Sequence, residues 1–324
     1  MIVSSPGGGS RVGAEPKQSR PPVVAMIGMA TVDYLYVLGD YPPADSVTRA
    51  LEHQAVVGGP AGRSAIAATR LGGATRLLAA CGSGVHAQIL MAELDAEGVD
   101  CTWVAHDQPS QHSAVILARG AATRTIIWLP QPRADARMIA HLPDFLEGVD
   151  VALLDSTDEI LTTAALDECE KRGVTTVIDT GSGRPWTASL LGRVDHVIAP
   201  EKYVLKATDC PAERAALELW GGSCRVVFGV TQGHRGGVFT TGKEPERLER
   251  WEAAPVTAVD SCGAGDTFHG AYAWAVAKGL SPAGCFATAA WSAGLKVSRL
   301  GNKGIPTLDQ MENARKSSRA GKRV

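Results

Sequence analysis

Short β-rich runs alternate with helical stretches along most of this chain, and that alternation restricts its fold more than any other feature. Val23–Gly28 reads as a buried first strand, and Arg76–Ala80, Val149–Asp155, Thr175–Asp179, His196–Ala199 and Arg225–Thr231 continue the series. Helical patterns lie between them at Ala61–Leu71, Gln88–Glu97, Ala164–Arg172 and Ala212–Leu219. Strands joined through helices run parallel, and a parallel sheet needs both faces covered. The expected fold is therefore α/β, with a mostly parallel central sheet flanked by helices.

Two segments break the rhythm. Ser46–His53 alternates polar and apolar residues, and Ser113–Arg119 and Arg124–Leu129 form a strand pair around Gly120-Ala121-Ala122. Extended pieces inserted between βαβ units imply a small separate sheet, drawn from about residues 34–57 and 111–130. Such a sheet suits a lid over the strand ends, where α/β proteins bind ligands, and its free edges suit a dimer contact. A homodimer through the lid is expected.

Length and composition set the outer limits. A chain of 324 residues with 45% hydrophobic content can bury a substantial core, as one large α/β domain or two small ones. The formal net charge of -2 speaks against a nucleic-acid partner, whose phosphates demand a basic excess. Residues 1–20 have almost no apolar content and read as a flexible leader, leaving 21–324 as the folded domain. No run is long and apolar enough to suggest a membrane span. The basic tail Lys316–Val324 is expected to fray. The 7 Cys form no C-x-x-C pair, which fits free thiols in a reducing cytoplasm.

The segment with the most chemistry is Val259-Asp260-Ser261-Cys262-Gly263-Ala264-Gly265-Asp266-Thr267-Phe268. Phe268, Tyr272 and Val276 follow at helical spacing, and Gly279 is a suitable stop, so a helix is expected to begin near Asp266. The first N–H groups of a helix have no intrahelical partner, and the dipole adds positive potential there. Gly263, Ala264 and Gly265 would thus form an anion hole fit for a transferring phosphoryl group. Asp266 beside it could take the proton of an attacking hydroxyl. A capping aspartate after a glycine turn is the competing reading of the same four residues.

At this segment the sequence resembles the ribokinase-like (PfkB) family of carbohydrate and nucleoside kinases. Asp260–Phe268 is similar to that family's C-terminal signature, and Gly58-Gly59-Pro60-Ala61-Gly62-Arg63-Ser64-Ala65 through Gly72 to its N-terminal one. The similarity covers about residues 22–310. It implies a ribokinase-like fold with a β-sheet lid, ATP as phosphoryl donor and Mg2+ as helper. It also implies Asp266 as catalytic base with Gly263–Gly265 as anion hole. Asp33 matches an aspartate that holds sugar hydroxyls, and Gly58 and Gly59 match the glycines beneath the sugar. Thr231, Gly233 and Gly236 match a nucleotide loop. Thr288 and Ser292 fall where the family shapes its adenine pocket, although either could bond its own helix backbone. Asp260 and the loop Arg299–Gly304 fall where some members bind a monovalent cation.

The departures from the family pattern are equally informative. Arg63 stands where many members carry Asn, which makes it a substrate-side candidate. The acidic turn after the second strand reads Gly82-Ser83-Gly84, and the Asn-x-x-Glu motif tied to Mg2+ is replaced by Pro200-Glu201-Lys202-Tyr203. Glu201 is then the carboxylate left for that metal role. Within the family the chain looks most like the sulfofructose kinase subgroup. The positions expected to hold its sulfonate donors carry Val47, Trp128 and Thr157, none cationic. Arg49, Arg63, Arg124 and Arg133 could substitute, against the reading that each is a surface or structural Arg. Trp128 suits either stacking on a sugar or packing a dimer mate.

The sequence reading is therefore ATP-dependent phosphorylation of a hydroxyl, expected to be primary, on a sugar or sugar derivative. A nucleoside kinase on the same fold is one alternative. A sugar-binding or regulatory protein without catalysis is another, suggested by the altered region at Pro200–Tyr203.

Overall fold

The computed structural model describes residues 20–120, 123–130, 133–214, 216–217 and 225–321. The leader 1–20 lies outside them except for Arg20, as do Cys224 and parts of the helix expected over Ala212–Leu219. Residues 212–214 and 216–217 of that segment are helical.

The strands are β1 (Val23–Ile27), β2 (Thr31–Leu38), β3 (Glu52–Gly58), β4 (Ala74–Ser83), β5 (Asp100–Pro109), β6 (His112–Ala118) and β7 (Thr123–Trp128). They continue with β8 (Val151–Leu154), β9 (Thr175–Asp179), β10 (His196–Pro200), β11 (Val227–Thr231), β12 (Gly237–Thr241) and β13 (Glu244–Trp251). The helices are α1 (Pro60–Arg70), α2 (Val85–Ala96), α3 (Ala136–Phe145), α4 (Glu159–Arg172) and α5 (Thr187–Leu190). After them come α6 (Glu201–Thr208), α7 (Ala264–Ala277), α8 (Pro282–Val297) and α9 (Leu308–Arg319).

Nine strands form the main sheet in the order β13-β12-β11-β10-β9-β8-β1-β4-β5. Pairings from β5 through β11 are parallel, and β12 and β13 close one end antiparallel. Successive residues of β1 explain why both faces are covered. Val24 and Met26 join a core with Ile66 of α1 and Tyr272 and Phe286 of α7 and α8. Ala25 and Ile27 join the opposite core with Leu142 of α3 and Leu166 of α4. The period-2 alternation of a strand sends its neighbours to opposite layers, so β1 must be apolar throughout. The parallel strands all end on one edge, which carries Asp155, Asp179, Glu201 and Thr231.

The second sheet has the order β3-β2-β6-β7. It is the expected small separate sheet, with two adjustments. The chain from Ser46 to Ala50 is irregular, and pairing starts at Glu52. β2 begins at Thr31, ahead of the expected boundary, because Val32 already pairs with His112. Across this sheet Asp33 stands opposite Val56 on one side and Ser113 on the other, and Ser113 stands opposite Trp128. Cross-strand neighbours share a face, so Asp33 and Trp128 point the same way. Leu35, Val37, Val115 and Leu117 on that face pack with Cys262 and Leu300.

The tail expected to fray is helical in its first part, and residues 322–324 lie outside the described residues. Lys316–Arg319 belong to α9, whose start is fixed by a capping box between Thr307 and Gln310.

Candidate active site

α7 begins at Ala264, two residues earlier than its apolar spacing indicates, because Gly263 adopts φ 75 and caps it. Asp266 is therefore not the cap but the third residue of the first turn. Ala264 N–H donates to the Ser261 carbonyl at 3.4 Å and Thr267 N–H to the Gly263 carbonyl at 3.0 Å. The Gly265 and Asp266 amides occupy the positions that a helix leaves without a partner of its own. A Cβ on Gly265 would meet open space, so a ligand can approach this backbone. The α7 turn is held from behind by two contacts. Ser64 Oγ donates to the Asp266 carbonyl at 2.8 Å, and His269 Nδ1 lies 2.8 Å from the Gly265 carbonyl.

Arg63 lies at the centre of the site. Its Nη2 is 2.6 Å from Asp33 Oδ2, its Nη1 3.4 Å from Asp266 Oδ2, and its Nε donates to Asn302 Oδ1 at 3.3 Å. Side-chain exposure is 4% for Arg63, 7% for Asp33 and 20% for Asp266, so the two carboxylates share one buried cation. Asp33 Oδ1 also accepts from Ser113 Oγ at 2.6 Å. Two glycines make room for this arrangement. A Cβ on Gly58 would fall 2.3 Å from the Asp33 carboxyl, and one on Gly263 would fall 2.5 Å from Arg63 Cδ. Gly59, at φ 79, starts α1 where a Cβ would strike the Met29 carbonyl at 2.4 Å.

Burial raises the Asp266 carboxyl above its ordinary range, and Arg63 pulls it partly back. A base with a raised pKa needs a higher pH to be free of its proton. The acid limb of kcat/KM is expected above the ordinary carboxylate value of 3.8, and a limb at or below that value would show another group controlling it.

Three residues at the site carried no sequence signal of their own. Asp155 follows β8, where burial pushes its carboxyl up to about 6. It accepts from Met29 N–H at 2.5 Å and from the Thr157 hydroxyl at 2.6 Å, against Gly28, whose Cβ would collide with it. Thr157 is thus bound to Asp155. Asp179 ends β9 and lies 3.3 Å from His269 Nδ1, which ties α7 to the sheet edge. Asn302 joins Arg63 to β3 by donating to the Val57 carbonyl at 2.8 Å. Acids at the carboxyl ends of parallel strands were the available clue to the first two. Asn302 is placed only by tertiary contacts.

The nucleotide-side residues fall into two groups. Thr231 ends β11, and the tight turn after it runs through Gly233 at φ 61 and Gly236 at φ 79. Gln232 in this turn donates to Glu201 Oε1 at 2.9 Å, and Arg235 pairs with the other Glu201 oxygen. Glu201 therefore braces the turn. Thr288 and Ser292 are both buried in α8, and Ser292 Oγ donates to Met311 Sδ at 3.3 Å, which turns its hydroxyl inward instead of toward a ligand. Among the described residues no group of three or more His, Cys, Asp or Glu could hold a metal ion. Of the other arginines proposed for an anionic substrate, Arg124 donates to Ser261 Oγ at 2.6 Å, while Arg49 and Arg133 are exposed.

The comparisons fit this geometry. Residues 23–308 match the family described as pfkB family carbohydrate kinase. The chain belongs to that family. A ribokinase of Bacillus subtilis (strain 168) is 23% identical over 299 residues, covering 89% of this chain and 98% of the relative. The structure of Arabidopsis thaliana ribokinase complexed with ribose and ATP superposes with a TM-score of 0.75 at 22% identity, over 91% of this chain and 98% of that one. A ribokinase from Thermotoga maritima gives 0.77 at 20% identity, over 92% and 100%. The ribokinase-like fold is thereby shown, and family membership makes the protein an ATP-dependent sugar kinase.

Proposed function

We propose that this protein transfers the γ-phosphoryl group of ATP to a hydroxyl of an uncharged sugar, with Asp266 as general base. The single observation behind this reading is the shared cation. Arg63 draws together the carboxylate matched to sugar-hydroxyl binding and the carboxylate at the anion hole. An acceptor bound at Asp33 is therefore brought beside Asp266. The sugar donates hydroxyl protons to Asp33 and accepts from Arg63. The attacking hydroxyl gives its proton to Asp266 as its oxygen bonds to phosphorus and the bond to ADP breaks. The Gly265 and Asp266 amides meet the charge on the phosphoryl oxygens. Support for a neutral substrate comes from the same contacts, since Arg63 is already committed to two acids and Arg124 to Ser261.

Mg2+ bound with the nucleotide would neutralise charge on its phosphates. Glu201 is the carboxylate the sequence offers for that role, but Gln232 and Arg235 already occupy its oxygens. The turn at Thr231, Gly233 and Gly236 is the nucleotide side. Trp128, on the same lid face as Asp33 and 55% exposed, offers an indole for the apolar side of the sugar. On the other lid face Tyr36 and Ile127 are exposed, which favours a second copy as the partner there.

ADP release with ATP and Mg2+ tests the reading, against neutral, sulfonated and phosphorylated sugars and nucleosides. A neutral ketose or aldose should raise ADP release at least about tenfold over the background hydrolysis that an open site permits. Stimulation only by nucleosides would transfer the reading to a nucleoside kinase. Sugars that raise the melting temperature without ADP formation would favour a binding protein.

A further inference from the structure

Beside the anion hole lies a second buried charge pair, built from residues outside the reaction just described. Lys296, near the end of α8, is 0% exposed. Its Nζ donates to Asp260 Oδ2 at 2.8 Å and to the Asp260 carbonyl at 3.1 Å. Asp260 is further engaged by backbone donors. Oδ2 also accepts from Gly301 N–H at 2.9 Å, and Oδ1 accepts from Cys262 N–H at 2.8 Å. The Val259 and Asp260 amides donate to the Val297 carbonyl at 2.7 and 3.0 Å. One ammonium thus joins the end of α8, the turn Gly301–Gly304 and the loop that runs into Gly263.

This is where the family resemblance places a monovalent cation, and the residues do not fit one. A bare cation needs a cage of oxygen lone pairs, and here the Lys296 ammonium already takes the Asp260 carbonyl and Oδ2, whose remaining lone pair accepts from Gly301 N–H. A primary ammonium carries the same single charge, and its covalent tether removes the entropy cost of capturing an ion from solution. Burial lowers the Lys296 pKa, and the adjacent Asp260 counters that shift.

We propose that the Lys296 side chain is this protein's built-in monovalent cation, positioning the Asp260–Gly263 loop and making added K+ dispensable. Lys296 is a positioning residue. It touches no reacting atom and acts through the loop that presents the Gly265 amide.

The test rests on the kinase reading for one of its two readouts and is independent of it for the other. ADP release and melting temperature are measured for wild type and Lys296→Ala in chloride salts of choline, Na+, K+ and methylammonium at equal ionic strength. Wild type should vary by no more than about twofold in rate across the four, a span equivalent to a negligible barrier change. Lys296→Ala should be slow and less stable in choline. K+ or methylammonium should then restore rate and raise its melting temperature by several degrees, as a ligand bound only by the folded state does. A wild type activated or stabilised by K+ over both choline and Na+ overturns the proposal. So does a folded Lys296→Ala that behaves identically in all four salts. Should the variant not fold, the wild-type titration decides alone, with indifference supporting the proposal and K+ activation overturning it. If no sugar elicits ADP from wild type, the kinase reading fails, and the melting temperatures still decide the role of Lys296.

Discussion

Asp266→Asn is expected to lower kcat by about 10³-fold, within the range that a positioned general base contributes. The amide cannot accept the hydroxyl proton, yet it keeps the shape that Arg63 and the first turn of α7 surround. Sugar and nucleotide affinity should therefore change little, and the loss should fall on kcat. Stability should move the other way. Burial raises the Asp266 pKa in the folded protein, so the folded state holds the proton more tightly than the unfolded chain. Ionising this group then costs stability as pH rises from the ordinary carboxylate range through the raised pKa. Asn removes it, while Arg63 keeps Asp33 as its closer partner. The variant should melt at or above the wild-type temperature at neutral pH and lose that advantage at acid pH. Turnover within tenfold of wild type would remove Asp266 from the base role.

The parts of this molecule that could be read from sequence are those in which local pattern and tertiary need coincide. Strands β1, β8, β9 and β10 are buried on both faces, so each carries a short apolar run, reduced in β9 to Val177-Ile178. β5 was not visible in that way. It is an edge strand, only partly buried, and Asp100–Pro109 mixes polar and apolar residues. The start of α7 was legible to within two residues because glycine spacing marks it. The start of α4 was not, because its cap is Asp158, which accepts from Leu161 N–H, well ahead of the apolar pattern first recognised at Ala164. At the site, Asp33, Asp266 and the glycines follow signatures. The partners that fix them do not. Ser113 and Asn302 are ordinary polar residues until the lid pairing and the turn after α8 bring them to Asp33 and Arg63. Lys296 sits in a helix that sequence reading would credit with a solvent-facing lysine, and only packing shows it fully enclosed.

Arg63→Met should be the most destabilising single change at the site. Methionine approximates the length of the arginine stem but leaves Asp33 and Asp266 facing each other in the interior without their cation. Removing one partner from a buried charge pair costs about 3–5 kcal/mol, because the other charge remains desolvated. The size of the loss should depend on pH. Without Arg63, burial and the neighbouring carboxylates Asp179 and Asp33 raise the Asp266 pKa against the smaller opposing pull of His269 alone. Stability of the variant should therefore fall as pH rises from the ordinary carboxylate range toward neutrality. The gap from wild type should be widest near pH 7 and narrow in acid. Denaturant unfolding of both proteins at about pH 5 and 7.5 measures this directly. Adding Asp33→Asn to the methionine variant should recover part of the loss at neutral pH, since Asp266 then has one like-charged neighbour fewer. In the kinetics, Arg63→Met should raise KM for the sugar and move the acid limb of kcat/KM upward, because Asp266 loses the group that lowers its pKa. Equal stability of the two proteins, or a loss that stays constant across this pH range, would mean that Arg63 fills space instead of balancing the two acids.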